Sequence, residues 1–244
     1  MTLEVRGLRK TFGDVVAVDD VTFTAEDGLT TGILGPNGAG KTTSLRMLYG
    51  LLKPDRGSVE IDGIDPFTEP GLARARLGVL PDSKGIYSRL TARENIAYYG
   101  SIYGLRGAEL DARVEALINE LELRKVADRR AAGFSQGERM KVAIGRALVH
   151  SPGNLVLDEP TNGLDVLSTR TMRELIARLR DRGNCVLFSS HVMQEVAALC
   201  DHIVVIAEGK VVATGSAELL LAKTGRDTLE DAFVALIGQA GLSE

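Results

Sequence analysis

The sequence predicts an α/β fold in which a mostly helical segment interrupts a sheet-forming body. Three observations support this prediction. Short apolar runs typical of strands recur in both outer parts of the 244-residue chain, stretches with helical spacing alternate with them, and helical patterning dominates from Thr91 to about His150. Alternation of this kind favours a sheet with helices packed on it. We expect a body made of residues 1–82 and 153–220, a helical insert at about 83–152, and a helical tail at 221–244.

The first part of the body is predicted to supply five strands and one helix. Residues 41–51 place Leu45, Leu48 and Leu52 on one face of a helix. The strand candidates are LEVRGL (3–8), VTFTA (21–25), TTGILG (30–35), SVEIDG (58–63) and LGVL (77–80).

The insert carries clear helix signals. Thr91 and Glu94 have the spacing of a capping box, in which each side chain bonds the other residue's backbone N–H. A later stretch has one apolar stripe of the kind that a helix buries against a core, formed by Leu110, Val114, Leu117, Ile118 and Leu121. Pro152 and Gly153 mark the point where the chain returns from the insert to the body.

The second part of the body again alternates strands and helices. A helix is expected between the first two of its strand candidates, which are NLVLD (154–158), NCVLFSS (184–190) and the longer HIVVIAEGKVVATG (202–215). A short amphipathic helix, TLEDAFVALIG (228–238), follows.

Composition narrows the functional classes. The chain is 44% hydrophobic and 25% charged, as in ordinary globular proteins, and its net charge is -4. An acidic balance argues against nucleic acid as the main partner, because binding a phosphate backbone requires a basic face. Two cysteines without metal-type spacing favour a reducing cytosol. We see neither a signal peptide nor an apolar run of about 18 residues, so another chain would have to carry this protein to a membrane.

A glycine-rich loop suggests the first ligand. Residues 35–42, GPNGAGKT, match the pattern G-x-x-x-x-G-K-[ST] between a predicted strand and a predicted helix. Such a loop points backbone N–H groups at an anion, and the helix N-terminus adds its positive dipole end. Lys41 would reach the outer phosphates, and Thr42 offers a hydroxyl to Mg²⁺. The alternative is a glycine-rich turn without a ligand; the full match in this context favours a nucleoside triphosphate.

Acidic residues follow the strand NLVLD. Asp158 ends this strand, where it suits the Mg²⁺ partner of a phosphate loop, and Glu159 could orient or deprotonate a water that attacks the γ-phosphate. The alternative is a strand that ends in a solvated acidic turn. His191 also ends a strand, where sites of α/β proteins gather, whereas His150 and His202 are expected to be structural.

One further segment makes a family resemblance specific. FSQGERMKVAIGRALVHSP (134–152) begins with a capping box of Ser135 and Glu138 and continues with Met140, Ile144, Ala147 and Leu148 at helical spacing. Together with the phosphate loop, LVLDEP, GLD and SSH, in family order, it resembles the ATP-binding cassette (ABC) ATPases over about residues 3–220. The resemblance implies a P-loop NTPase core, with a RecA-like sheet and an antiparallel β portion, interrupted by a helical subdomain.

The resemblance also implies roles for individual residues. Phe12 matches the aromatic residue that stacks on adenine, Asp158 the metal-side aspartate, Glu159 the general base and His191 the histidine that senses the γ-phosphate. Lys41 would assist catalysis. The remaining nucleotide-binding positions are Gly35, Asn37, Gly38, Ala39, Gly40, Thr42 and Thr43 in the loop, Ser135 and Gly137 in the signature segment, which closes on the ATP of a second subunit, and Asp165 between the subunits. The absence of an N/T-K-x-D sequence favours ATP over GTP.

Two departures from the family pattern stand out. Asp82 occupies the position of a glutamine that contacts Mg²⁺ and couples to the membrane subunit. A carboxylate can still bind the metal, but it cannot donate a hydrogen bond. In the signature segment, Gln136 and Glu138 replace a second glycine and a glutamine.

The stretch LPDSKGIYSRLTARENIAYYGSIYGL and the helix TLEDAFVALIG are similar to bacterial ABC-2-type exporter ATPases, closest to the sodium-export type, although the helix is equally explained by generic packing. This resemblance implies an ATPase that acts as a homodimer, binds an ABC-2-type permease and lies in the cytoplasm on the inner face of the cell membrane, with Na⁺ as a candidate cargo.

Two other functional classes remain open. One is a soluble ABC ATPase that acts on ribosomes, DNA or a protein complex, against which the single cassette, the lack of sustained heptads and the acidic pI argue. The other is a P-loop kinase or GTPase, against which the signature segment and SSH argue.

Overall fold

The computed structural model describes residues 2–83 and 85–240. Met1, Lys84 and the end of the predicted tail, 241–244, lie outside the described residues. Within those ranges the chain forms a six-stranded sheet and a three-stranded sheet with helices packed on them, which confirms the α/β fold. The strands are β1 (Thr2–Phe12), β2 (Val15–Glu26), β3 (Thr30–Leu34), β4 (Arg56–Ile61), β5 (Leu77–Leu80), β6 (Asn154–Asp158), β7 (Cys185–Ser190), β8 (His202–Ala207) and β9 (Lys210–Gly215).

The helices agree with most of the sequence-based elements and add three. Within the described residues they are α1 (Lys41–Leu48), α2 (Pro70–Arg76), α3 (Ala92–Ile102), α4 (Gly107–Glu120), α5 (Gln136–Leu148), α6 (Val166–Asp181), α7 (Met193–Leu199), α8 (Ala217–Thr224) and α9 (Leu229–Ala240). The sequence analysis did not predict α2, α7 and α8, which are seven or eight residues long and therefore too short for a clear apolar period.

One helix prediction needs correction, and the stretch predicted to be helical divides into separate helices. Helix α1 ends at Leu48 rather than near residue 51, because the chain turns at Gly50, where φ is 73°. The stretch from Thr91 to His150 is three helices separated by turns, two of which are short 3₁₀ segments, Arg124–Val126 and Ala131–Gly133. Both predicted capping boxes are present, at the start of α3 and of α5.

The six-stranded sheet has the order β5-β6-β7-β3-β8-β9, with β9 antiparallel to β8 and the other pairs parallel. Strands β3, β6 and β7 are buried along their whole length, which explains their continuous apolar sequences. Since parallel strands end at the same edge, the segments that follow these three adjacent strands come together there. The phosphate loop follows β3, Glu159 follows β6 and His191 follows β7.

Two apolar clusters hold the layers together. In one, the antiparallel sheet β2-β1-β4 packs against α1, with residues such as Leu3, Val59 and Leu45 fully or almost fully buried. The other joins α3, α4 and α5 to the large sheet through residues such as Ile96 and Leu157. No helix in the described residues combines the length and apolarity that a membrane crossing requires.

Candidate nucleotide site

The phosphate loop is shaped by glycines at two close approaches. Gly40 has φ of 98°, and a Cβ atom there would lie 2.5 Å from the carbonyl oxygen of Ala17. A Cβ atom at Gly35 would lie 2.3 Å from the carbonyl oxygen of Ile206 on β8. Since real Cβ atoms do not approach a backbone oxygen so closely, the loop can follow this path only with glycine at both positions.

The loop borders a cavity of about 470 Å³ at the carboxyl edge of the sheet. Ligand sites of proteins have volumes of this order. Ala17, Pro36 and Asn162 also line the cavity and were not singled out from the sequence. The predicted residues that line it are Asn37, Gly38, Ala39, Gly40, Lys41, Thr42, Thr43, Asp82, Glu159 and His191.

Lys41 is a buried cation that lies inside the loop. Its Nζ donates hydrogen bonds to the carbonyl oxygens of Gly35 at 2.7 Å and Pro36 at 3.2 Å. Nζ also lies 3.8 Å from Oε1 of Glu159. Burial lowers the pKa of Lys41, while the charges of Glu159 and Asp158 act in the opposite direction. The site thus holds a desolvated ammonium group where an anionic ligand would be strongly attracted.

Asp158 has one satisfied and one unsatisfied carboxylate oxygen. Its Oδ1 accepts hydrogen bonds from Ser189 Oγ at 2.6 Å and Thr42 Oγ1 at 3.3 Å. Its Oδ2 is buried without a hydrogen-bond partner among the described residues. A buried carboxylate oxygen in this state is costly, so the arrangement suits a cation beside the Thr42 hydroxyl.

The oxygen atoms of Asp158 and Thr42 suit Mg²⁺ better than a metal that protein side chains alone would coordinate. The described residues contain no group of three or more His, Cys, Asp or Glu side chains placed to hold a metal. Mg²⁺ commonly binds through one or two protein oxygens together with substrate phosphates and water. Asp82 lines the same cavity and also an adjacent depression that Asp158 lines, so it lies on the same side of the site as Asp158.

Glu159 and His191 contact each other at the ends of neighbouring strands. Nδ1 of His191 lies 2.9 Å from Oε2 of Glu159. Because a carboxylate oxygen accepts, Nδ1 carries the hydrogen of this bond. Glu159 has φ of 50°, and its backbone N–H donates to Ser189 Oγ at 3.0 Å. This turn after β6 directs the Glu159 side chain into the cavity, away from the direction of Asp158.

Ser189 is a site residue that the sequence analysis missed. Its single hydroxyl contacts both Asp158 Oδ1 and the Glu159 backbone. The pairing of Asp158 with Ser189 across β6 and β7 places it there. Only the register of two strands distant in sequence could have revealed it, because a serine at a strand end carries no local signal.

The remaining predicted residues lie outside this cavity. Phe12 is half exposed and lines an adjacent depression of about 290 Å³ that also includes Arg46 and Tyr49. Ser135 caps α5 by accepting from the backbone N–H of Glu138 at 3.2 Å. Neither Ser135 nor Gly137 is among the residues that line the cavity beside the phosphate loop.

The starts of α5 and α6 lie against each other. Asp165 caps α6 by accepting from the Ser168 backbone N–H at 2.8 Å and its hydroxyl at 3.0 Å. A Cβ atom at Gly137 would lie 2.7 Å from the same Ser168 hydroxyl. Gly137 and Asp165 therefore occupy one shared surface region.

Comparison with known proteins gives a consistent result. The family model described as ABC transporter matches residues 18–162. The chain is 45% identical over 222 residues to the ABC transporter ATP-binding protein NatA of Bacillus subtilis (strain 168), covering 91% of this chain and 90% of the relative. It is 38% identical over 229 residues to the Nod factor export ATP-binding protein I of Burkholderia lata, covering 93% of this chain and 75% of the relative.

Solved structures agree with the sequence relatives. The structure of an ATP binding subunit of an ABC transporter superposes with a TM-score of 0.88 at 30% identity, covering 97% of this chain and 99% of that one. A dimeric ATP-binding cassette in a post-hydrolysis state, bound to ADP and Pi, gives a TM-score of 0.80 at 25% identity, covering 88% and 98%. Subunits of this kind pair with each other and work with membrane permeases. This chain belongs to the ABC transporter family and is an ATP-binding subunit that hydrolyses ATP.

Proposed function

We propose that Glu159 is the general base for ATP hydrolysis and that His191 and Lys41 complete the catalytic group. The observation that carries this proposal is the continuous contact from Lys41 Nζ to Glu159, 3.8 Å, and from Glu159 to His191, 2.9 Å. The carboxylate accepts a proton from the attacking water, and the imidazole holds the carboxylate in place. Lys41 stabilises the negative charge on the outer phosphates as the γ-phosphate leaves.

Thr42 and Asp158 would hold Mg²⁺, with Asp82 on the same side of the site. The unsatisfied Oδ2 of Asp158 and the nearby Thr42 hydroxyl support this assignment. The ion, when bound, neutralises part of the phosphate charge. Phe12, half exposed at the rim of the adjacent depression, offers a ring on which a base can stack.

We infer that two identical copies form the complete site. Ser135 and Gly137 lie away from the chain's own cavity, so they are available to a nucleotide held by a second copy. The backbone N–H groups at the start of α5 would then face its phosphates. The surface beside Asp165 supports this arrangement, because Val166 and Leu167 are 85% and 77% exposed there. Apolar exposure of this kind is typical of a contact surface.

We further propose an ABC-2-type export permease as the membrane partner, bound at the inner face of the cell membrane. The similarity to a Nod factor export ATP-binding protein supports export. An apolar groove of about 290 Å³, lined by residues such as Tyr49, Leu77 and Tyr103, offers a docking place. Pro81 lines both this groove and the depression that contains Asp82, so a bound permease segment would be linked to the nucleotide site.

Na⁺ is the cargo that we propose, on the resemblance of residues 80–105 and 228–238 to the sodium-export type. The test is Na⁺ uptake by inverted membrane vesicles that contain this protein and the permease encoded beside its gene. We expect uptake that depends on ATP and disappears in Lys41→Ala. ATP hydrolysis without any Na⁺ movement would reject the cargo, while leaving the ATPase assignment intact.

A soluble ABC ATPase that acts on ribosomes, DNA or a protein complex is not favoured by the comparisons, since the relatives are transporter and export subunits. Salt-sensitive binding of nucleic acid at micromolar protein would speak for it.

A further inference from the structure

Helix α7 carries a buried carboxylate directly behind the nucleotide site. Glu195 is 5% exposed, although glutamate is rarely buried without a specific reason. Glu195 does not line the cavity, and it has no role in the hydrolysis mechanism proposed for Lys41, Glu159 and His191. The side chain faces the two segments that carry Glu159 and His191.

Glu195 accepts hydrogen bonds from both segments through one oxygen. Thr161, two residues after Glu159, donates its hydroxyl to Glu195 Oε2 at 2.5 Å. Ser190, which directly precedes His191, donates its hydroxyl to the same oxygen at 3.3 Å. Ser190 Oγ in turn accepts from the backbone N–H of Val192 at 3.0 Å. Both hydroxyl-bearing residues are buried, at 7% and 0% exposure.

The second oxygen of Glu195 faces a cation. The Arg173 guanidinium on α6 lies 3.7 Å from Oε1. This pairing offsets part of the cost of burying the carboxylate charge, which a glutamate without a cation would carry in full. We refer to the buried side chains of Glu195, Thr161 and Ser190, together with the partly exposed Arg173, as the buried clamp.

The buried clamp joins the segment after β6 to the end of β7. Beyond the ends of β6 and β7 the sheet hydrogen bonds stop, yet Glu159 and His191 must stay in contact at 2.9 Å. Ser189 joins the two strands on one side of this contact, through Asp158 and the Glu159 backbone. The clamp adds a second link through Glu195, between Thr161, two residues after Glu159, and Ser190, directly before His191. Two separate links therefore hold the segments that carry Glu159 and His191 next to each other.

We propose that Glu195 is a positioning residue for hydrolysis, which holds the Glu159–His191 contact through Thr161 and Ser190. The proposal rests on the catalytic roles proposed above for Glu159 and His191. It requires that the clamp affect turnover, because the general base loses its orientation when either segment shifts. It also requires that ATP affinity change little, because the phosphate loop follows a different strand, β3.

The first test removes one hydroxyl of the clamp. Thr161→Val keeps the branched shape and leaves Glu195 its bonds to Ser190 and Arg173, whereas Thr161→Ser keeps the hydroxyl. We expect kcat to fall about tenfold in Thr161→Val, with the ATP dissociation constant within about twofold of wild type, and to recover in Thr161→Ser. Thr224→Val, which removes a hydroxyl bonded within α8, is the matched control and should keep wild-type kcat.

The second test asks whether the clamp acts through His191. In a double-mutant cycle, Thr161→Val should lower the single-turnover rate about tenfold in the wild-type background and less than about twofold in a His191→Ala background. An equal decrease in both backgrounds, an unchanged kcat in Thr161→Val, or a parallel loss of ATP affinity would overturn the proposal. Full hydrolysis in His191→Ala alone would overturn the clamp together with the proposed role of His191.

Discussion

Asp158 and Glu159 are neighbours in the chain, yet their side chains have different surroundings. Asp158 is the last residue of β6 and is 2% exposed, bonded to Ser189 and Thr42. Glu159 leaves the strand with positive φ and contacts Lys41 and His191. One acid is therefore suited to a metal ion and the next to a water molecule. This division follows from the strand end and could be predicted from the sequence.

The first prediction at the level of single residues concerns Lys41. Lys41→Ala removes the buried ammonium that lies among the loop carbonyls, so the phosphates lose a charged partner worth about 1.5–3 kcal/mol. We expect the dissociation constant for ATP to rise at least about tenfold in isothermal titration calorimetry. Lys223→Ala on α8 is the control and should bind as wild type. Wild-type affinity in Lys41→Ala would reject the loop as the phosphate site.

The sequence analysis identified the charged residues of the site but not Ser189 and Glu195, which contact the segments that carry them. Lys41, Glu159 and His191 follow strands with strong apolar patterns, so their positions at one sheet edge could be deduced. Ser189 and Glu195 support them through strand register and through contacts with α7. Helix α7 has seven residues, and its single buried carboxylate has no local signal. Contacts of this kind depend on tertiary packing, which hydrophobic periodicity in the sequence does not reveal.

At the scale of elements, the end of α5 is joined to two other elements through His150. Its ring stacks on Tyr103, which follows α3, with centroids 3.6 Å apart. Its Nε2 lies 3.2 Å from the carbonyl oxygen of Leu77 on β5. The expected structural role of His150 is consistent with these contacts. The helix that begins with the signature segment is thus fixed at its far end to the sheet.

His150 leads to a prediction about pH. Burial lowers its pKa to about 4 from an ordinary value of 6.5, so the unfolded chain binds a proton at this histidine more readily than the folded one. Its contribution to stability is fully present above pH 6.5 and is lost as pH falls toward 4.

Urea unfolding should show this effect. We expect the free energy of unfolding to drop by on the order of 1 kcal/mol between pH 7 and pH 5 through His150, allowing for its partial exposure. The pH dependence should be flatter in His150→Gln. An identical slope in the variant, or an NMR titration of His150 with a midpoint near 6.5, would contradict the explanation.

At the scale of the whole molecule, the residues assigned to the nucleotide site lie in two groups. The cavity with Lys41 and Glu159 lies at the sheet edge, whereas Ser135 and Gly137 lie at the start of α5, beside α6. If two copies pair, each signature segment meets the other copy's cavity. The sequence analysis reached this division only through family resemblance, since no local pattern states which copy a helix start will face.

A matched pair of cap variants tests this division. Ser135→Ala and Ser216→Ala each remove a helix N-cap that accepts a backbone hydrogen bond, at the start of α5 and of α8, at a cost of about 1 kcal/mol. We expect Ser135→Ala to keep ATP affinity in the monomer but to lose ATP-driven pairing and most hydrolysis. Ser216→Ala should retain both. Equal hydrolysis in the two variants would show that Ser135 has no part in the site.

The most direct measurement is phosphate release and ATP binding by purified Glu159→Gln with Mg²⁺, beside wild type and the exposed control Glu174→Gln on α6. We predict that Glu159→Gln binds ATP as tightly as wild type, releases phosphate at least about 100-fold more slowly and accumulates as an ATP-bound dimer in size-exclusion chromatography. Phosphate release at the rate of wild type would contradict the assignment of Glu159 as the base, and with it the mechanism built on the contact between Lys41, Glu159 and His191.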